Sequence, residues 1–130
     1  MPRNVPSTLA LSAAVVLVSI TGAAAHESAK GPHGGAVVDV AGHQVEFVPS
    51  PTEITFHLTA EADAPIASSG AKMKAIVQDA GKTAQIELMP VEPNKLVGKL
   101  AAPLTFGAKV VVTGVLSDGH TLHAKFVTSK

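Results

Sequence analysis

The sequence predicts an all-β protein: a single small antiparallel β-sandwich of about seven or eight strands, immunoglobulin-like or Greek-key in type, behind a cleaved export signal. Three observations carry this. Short runs rich in Val, Ile, Thr and Phe recur between turn residues after Gly35. Outside the first 25 residues no stretch sustains the 3.6-residue apolar period of a helix. Pro49, Pro51, Pro65, Pro90, Pro93 and Pro103 fall at loop-like intervals rather than inside helices.

Taken in order, Met1 to Ala25 reads as a signal peptide: Arg3 is its only charged side chain, Leu9 to Ile20 is apolar, and Ala23-Ala24-Ala25 offers the small residues a signal peptidase inspects. The apolar run is shorter than the roughly 20 residues a spanning helix needs, and Thr21-Gly22 closes it. The expected location is the periplasm, with no membrane span in the mature form. Residues 26–35, HESAKGPHGG, have no apolar periodicity and read as a flexible arm. The sandwich then occupies residues 36–130, too few for two ordinary domains. Its strands are expected at Ala36 to Val40, His43 to Val48, Glu53 to Ala60, Lys72 to Gln78, Thr83 to Met89, Lys95 to Leu100, Lys109 to Leu116 and Thr121 to Thr128. Glu53 to Thr59 alternates without a break, which puts Ile54, Phe56 and Leu58 inward. Val110, Val112 and Leu116 on one face and Val111 and Val115 on the other mark Lys109 to Leu116 as a central strand, with Gly114 as a candidate bulge. Asp79-Ala80-Gly81 and Ser117-Asp118-Gly119 supply the positive φ of tight hairpins.

Composition removes several functions. There is no cysteine, which excludes disulfides, lipoprotein acylation and a tetrathiolate zinc site. Ten basic residues balance ten acidic ones, so no basic stripe exists for nucleic acid. Trp and Tyr are absent, which removes the stacking platforms of sugar-binding surfaces. No nucleophile elbow, His-Glu-x-x-His or phosphate-cradling glycine loop is present, so an enzyme is not expected.

Six histidines stand out against that background. Cleavage after Ala25 gives His26 a free α-amine beside its imidazole, a nitrogen pair suited to copper(II). His33 sits between glycines in Gly31-Pro32-His33-Gly34-Gly35. His43 shares strand phase with Val45 and Phe47, and His120 shares phase with Leu122, Ala124 and Phe126; both are expected at the inner rim, where they either meet or each bond a loop carbonyl. Asp39 and Glu46 are secondary oxygen donors if the arm folds back over the His43 strand. His57 and His123 fall on solvent-facing phases, and Met73 and Met89 stand in apolar strands where a core role is ordinary. The expected ligand is a divalent transition metal, copper first, then nickel, cobalt or zinc, held by His33 and His43 with His26 and His120. The alternative is a non-enzymatic envelope interaction module with incidental histidines.

The stretch Gly31-Pro32-His33-Gly34-Gly35-Ala36-Val37-Val38-Asp39, followed by Gly42-His43-Gln44-Val45-Glu46-Phe47-Val48 and Glu53-Ile54-Thr55-Phe56-His57-Leu58, resembles small periplasmic proteins of proteobacteria. Its opening is similar to the HGG segment of the periplasmic adaptor subunits of heavy-metal efflux pumps, over about a quarter of the chain. The resemblance implies that His33 and His43 bind a transition metal outside the inner membrane, with a metal-efflux system or another envelope protein as partner. A terminal histidine on a cysteine-free β domain is also similar to periplasmic copper-resistance C proteins, by analogy alone.

Overall fold

A computed structural model describes residues 29–129. Ten strands are present among them: β1 (Ala29–Lys30), β2 (Ala36–Val40), β3 (His43–Pro49), β4 (Glu53–Thr59), β5 (Lys72–Asp79), β6 (Lys82–Glu87), β7 (Met89–Val91), β8 (Lys95–Lys99), β9 (Lys109–Val115) and β10 (Thr121–Val127). They form two antiparallel sheets, ordered β1-β2-β3-β4-β8-β7 and β10-β9-β5-β6. The predicted all-β sandwich is the observed architecture, and the eight predicted runs all appear.

Local chemistry explains the connections. Val40 pairs with His43 and Asp79 with Lys82, so each hairpin has a two-residue loop. Those loops, Ala41-Gly42 and Ala80-Gly81, place both residues at positive φ, the turn whose twist matches that of the flanking strands. The third hairpin, β9 to β10, is closed by Leu116 N donating to His120 O at 2.8 Å and Gly119 N donating to Leu116 O at 2.9 Å.

Alternation fills the space between the sheets. Ile54, Phe56 and Leu58 are buried, as their phase requires, together with Val45 and Phe47 from β3 and Leu122, Ala124 and Phe126 from β10. Phe47, Phe56 and Phe126 pack as a trio, with ring centroids 5.1 to 5.9 Å apart. Each such side chain contributes about 1.5–3 kcal/mol by leaving water, which holds a domain without disulfides together.

Four expectations need correction. Residues 29–35 are not a free arm: β1 pairs with β2, and Gly31 N donates to Gly35 O at 2.8 Å. The run from Thr83 is two strands, because Leu88 turns into the core, sends its N–H to Met73 O, and hands the chain to the other sheet. Met89 is therefore 66 % exposed rather than core. Gly114 is not a bulge, since β9 keeps continuous register with both neighbours. What Gly114 permits is close approach, for a Cβ there would stand 2.1 Å from the Lys72 carbonyl oxygen.

Candidate metal centre

Two hairpins bring their loops to one end of the sandwich. His43 begins β3, directly after the Ala41-Gly42 loop, and its phase points it along the inner face at the rim. Asp118 and His120 lie in the β9–β10 turn of the opposite sheet. The turn orients Asp118: its Oδ1 accepts the backbone N–H of His120 at 2.9 Å, which leaves Oδ2 facing both imidazoles. Asp118 Oδ2 lies 2.9 Å from His120 Nδ1 and 3.4 Å from His43 Nε2. The two rings stand 5.3 Å apart, centroid to centroid.

Among the described residues, His43, Asp118 and His120 are the one group of three side chains whose donor atoms all lie within 4.8 Å of one another. Donors bound at 2.0–2.2 Å to one ion sit about 3.3 Å apart, so modest side-chain rotations close the set around a metal. Two imidazoles and a carboxylate suit zinc, copper(II), nickel or cobalt. The backbone N–H of His120 and then its ring hold the Asp118 carboxyl down at about 2 against desolvation, with the ring of His43 adding to them, so the oxygen donor stays ionised. His43 is the most enclosed of the three, whereas His120 is 67 % exposed and not the inward-facing residue its strand phase implied. That phase lapses because β10 begins only at Thr121.

His33 does not join this group. Glu46 lies between Val45 and Phe47, whose side chains enter the core, so it points to the outer face of its sheet. There the Gly31–Gly35 turn folds over it. Glu46 Oε2 accepts the backbone N–H of His33 at 2.9 Å and of Gly35 at 2.8 Å, and Oε1 lies 2.8 Å from His33 Nδ1. Burial raises the Glu46 pKa, but the His33 ring and the two backbone donors together outweigh it and hold the carboxyl below its ordinary value. The glycines make this possible. A Cβ on Gly31 would meet the Glu46 carboxylate at 2.4 Å, and one on Gly35 would meet the Phe47 carbonyl oxygen at 2.2 Å.

His57, read from sequence as a surface residue, lies opposite Glu46 in register and is partly covered by the His33 ring, which stacks on it at 3.7 Å and 3°. Burial first, then the His33 and Lys95 charges, lower the His57 pKa; the Glu46 charge acts the other way without prevailing. Asp39 also has a local task, accepting Gly42 N–H at 3.2 Å across the β2–β3 turn. His123 is exposed on β10, and His26 lies outside the described residues. The pairing of His33 with His43 in one centre is thus replaced by two clusters on opposite faces of β3. Sequence reasoning used Asp118 only as a turn former; the signal for more was Asp-Gly-His, since an Asp at a turn bonds the backbone two residues on and so sits beside that residue's ring.

No family profile, curated protein or solved structure matches the chain.

Proposed function

We propose that this protein is an exported, periplasmic binder of divalent transition metal, copper(II) first and nickel, cobalt or zinc next, serving metal homeostasis or efflux through His43, Asp118 and His120. The observation that carries the reading is the convergence of those three donors, from two sheets, within 4.8 Å. The donor set also argues for class of ion. Copper(I) prefers sulfur ligands, but the chain has no cysteine, Met73 is buried in the core and Met89 lies on the edge strand β7, which β4 and β8 separate from β3. Export is supported by the reading of Met1 to Ala25.

Isothermal titration with copper(II) and with zinc tests this, using wild type, a His43→Ala/His120→Ala double variant and a His33→Ala control. The expected result is loss of the stoichiometric site in the double variant and its retention in the control. Equal affinities in wild type and the double variant refute the rim centre. A second reading, a docking module with incidental histidines, draws on exposed Met89 and Val91 along the edge strand β7. Partner capture unaffected by a chelator favours that reading.

A further inference from the structure

The outer-face cluster is separate from the rim centre and has its own chemistry. Two imidazoles lie face to face at 3.7 Å, with one buried carboxylate at the Nδ1 of the first. Both Glu46 oxygens are taken up by the turn: one by two backbone N–H groups, the other by the His33 ring. The surrounding elements bring little compensation. On β2, Val37 faces Glu46 and carries no charge, while Asp39 is engaged at Gly42. On β8, Lys95 stands opposite His57 and adds a positive charge, and Lys99 is matched with Glu53. β1 contributes only exposed Lys30.

We infer that the Gly31–Gly35 turn is a proton-operated latch, closed over Glu46 while the His33–His57 stack carries at most one proton and released, with β1, when the stack takes a second. One carboxylate balances one imidazolium. A second proton sets two like charges 3.7 Å apart, far inside the screening length of about 8 Å at physiological salt, with Lys95 adjacent. The closed turn also covers His57 and lowers its affinity for a proton. By linkage, a proton on His57 disfavours the closed turn to the extent that the turn's cover and the His33 charge lower that affinity. His57 binds its proton more readily in the open form, so opening is favoured as pH falls through the imidazole range. Release strips β1 from Ala36 and Val37, freeing that sheet edge for another strand, and exposes Glu46 and His57 to solvent.

Amide hydrogen exchange followed by NMR tests the latch, because the N–H groups of His33 and Gly35 are protected by Glu46 itself. After correction for intrinsic rates, their protection should fall by up to about tenfold per pH unit once opening is coupled to one proton, from about pH 6.5 downward. The Phe56 amide in the core strand should keep its protection. His57→Phe retains a ring to stack on but takes no proton, so its opening should move down to the carboxylate range. His57→Gln serves the same purpose if the larger ring displaces the turn. Flat protection in wild type between about pH 7.5 and 5.5, or the same pH dependence in wild type and both variants, overturns the inference.

Discussion

Replacing Glu46 by Gln and, separately, by Leu separates the charge of this buried carboxylate from its hydrogen-bond geometry. Three donors converge on it, His33 N at 2.9 Å, Gly35 N at 2.8 Å and His33 Nδ1 at 2.8 Å. In Glu46→Gln the amide oxygen keeps both backbone donors, and the amide nitrogen donates to His33 Nδ1 once the ring moves its proton to Nε2. Every group stays paired, and only charge assistance is lost. With charged-acceptor bonds at about 1.5–3 kcal/mol and neutral ones at about 0.5–1.5, the expected cost is about 2 kcal/mol. Glu46→Leu leaves two backbone N–H groups facing an apolar side chain, at about 1–3 kcal/mol each, so the expected cost is about 4 kcal/mol unless the turn opens to water first. Urea denaturation near neutral pH, with a common slope for the three proteins, measures both. The pH dependence supplies a second check. Because the folded-state carboxyl lies below its ordinary 4.5, the wild-type advantage over Glu46→Gln is in place above that value and fades as pH falls through the lower folded one. Equal midpoints for Gln and Leu, or both within about 0.5 kcal/mol of wild type, refute the account of Glu46 as the turn's anchor.

Two adjacent glycines should respond differently. Gly34 has φ of +78° and open space around it, so Gly34→Ala should cost about 1–2 kcal/mol and Gly34→Asn less. Gly35→Ala drives a Cβ against the Phe47 carbonyl 2.2 Å away, so it should cost about 3 kcal/mol, and Asn should not help; thermal melts rank the set. At the rim, Asp118→Asn keeps an acceptor for His120 N–H but removes the anionic donor, so titration should show copper(II) affinity reduced by about tenfold or more. Since the Asp118 carboxyl is held down at about 2, acid release of metal from wild type should be complete well above that value.

Much of the fold was legible because its causes are local. Ile54, Phe56 and Leu58 alternate with polar residues, and only one face of β4 can then enter the core. Asp-Gly and Ala-Gly pairs carry the positive φ their hairpins need. Leu88 escaped this reading because a strand that changes sheets keeps an apolar, extended sequence throughout; only packing shows where it crosses. The two-residue β1 escaped because Ala-Lys has no strand signal of its own and pairs only because the turn returns it to β2.

For the histidines the division is sharper. Sequence alone placed His43 at the start of an inward-facing phase and His120 just after a tight turn, while Glu46 entered it only as a secondary oxygen donor beside His43. Period-two alternation is fixed by neighbouring residues. Which side chains meet was decided by tertiary structure. His43 and Asp118 are 75 positions apart and join only because hairpins from different sheets end at the same rim. His33 reaches Glu46 and His57, not His43, because three glycines let the backbone fold onto the outer face while one strand of side chains and backbone stands between the two clusters.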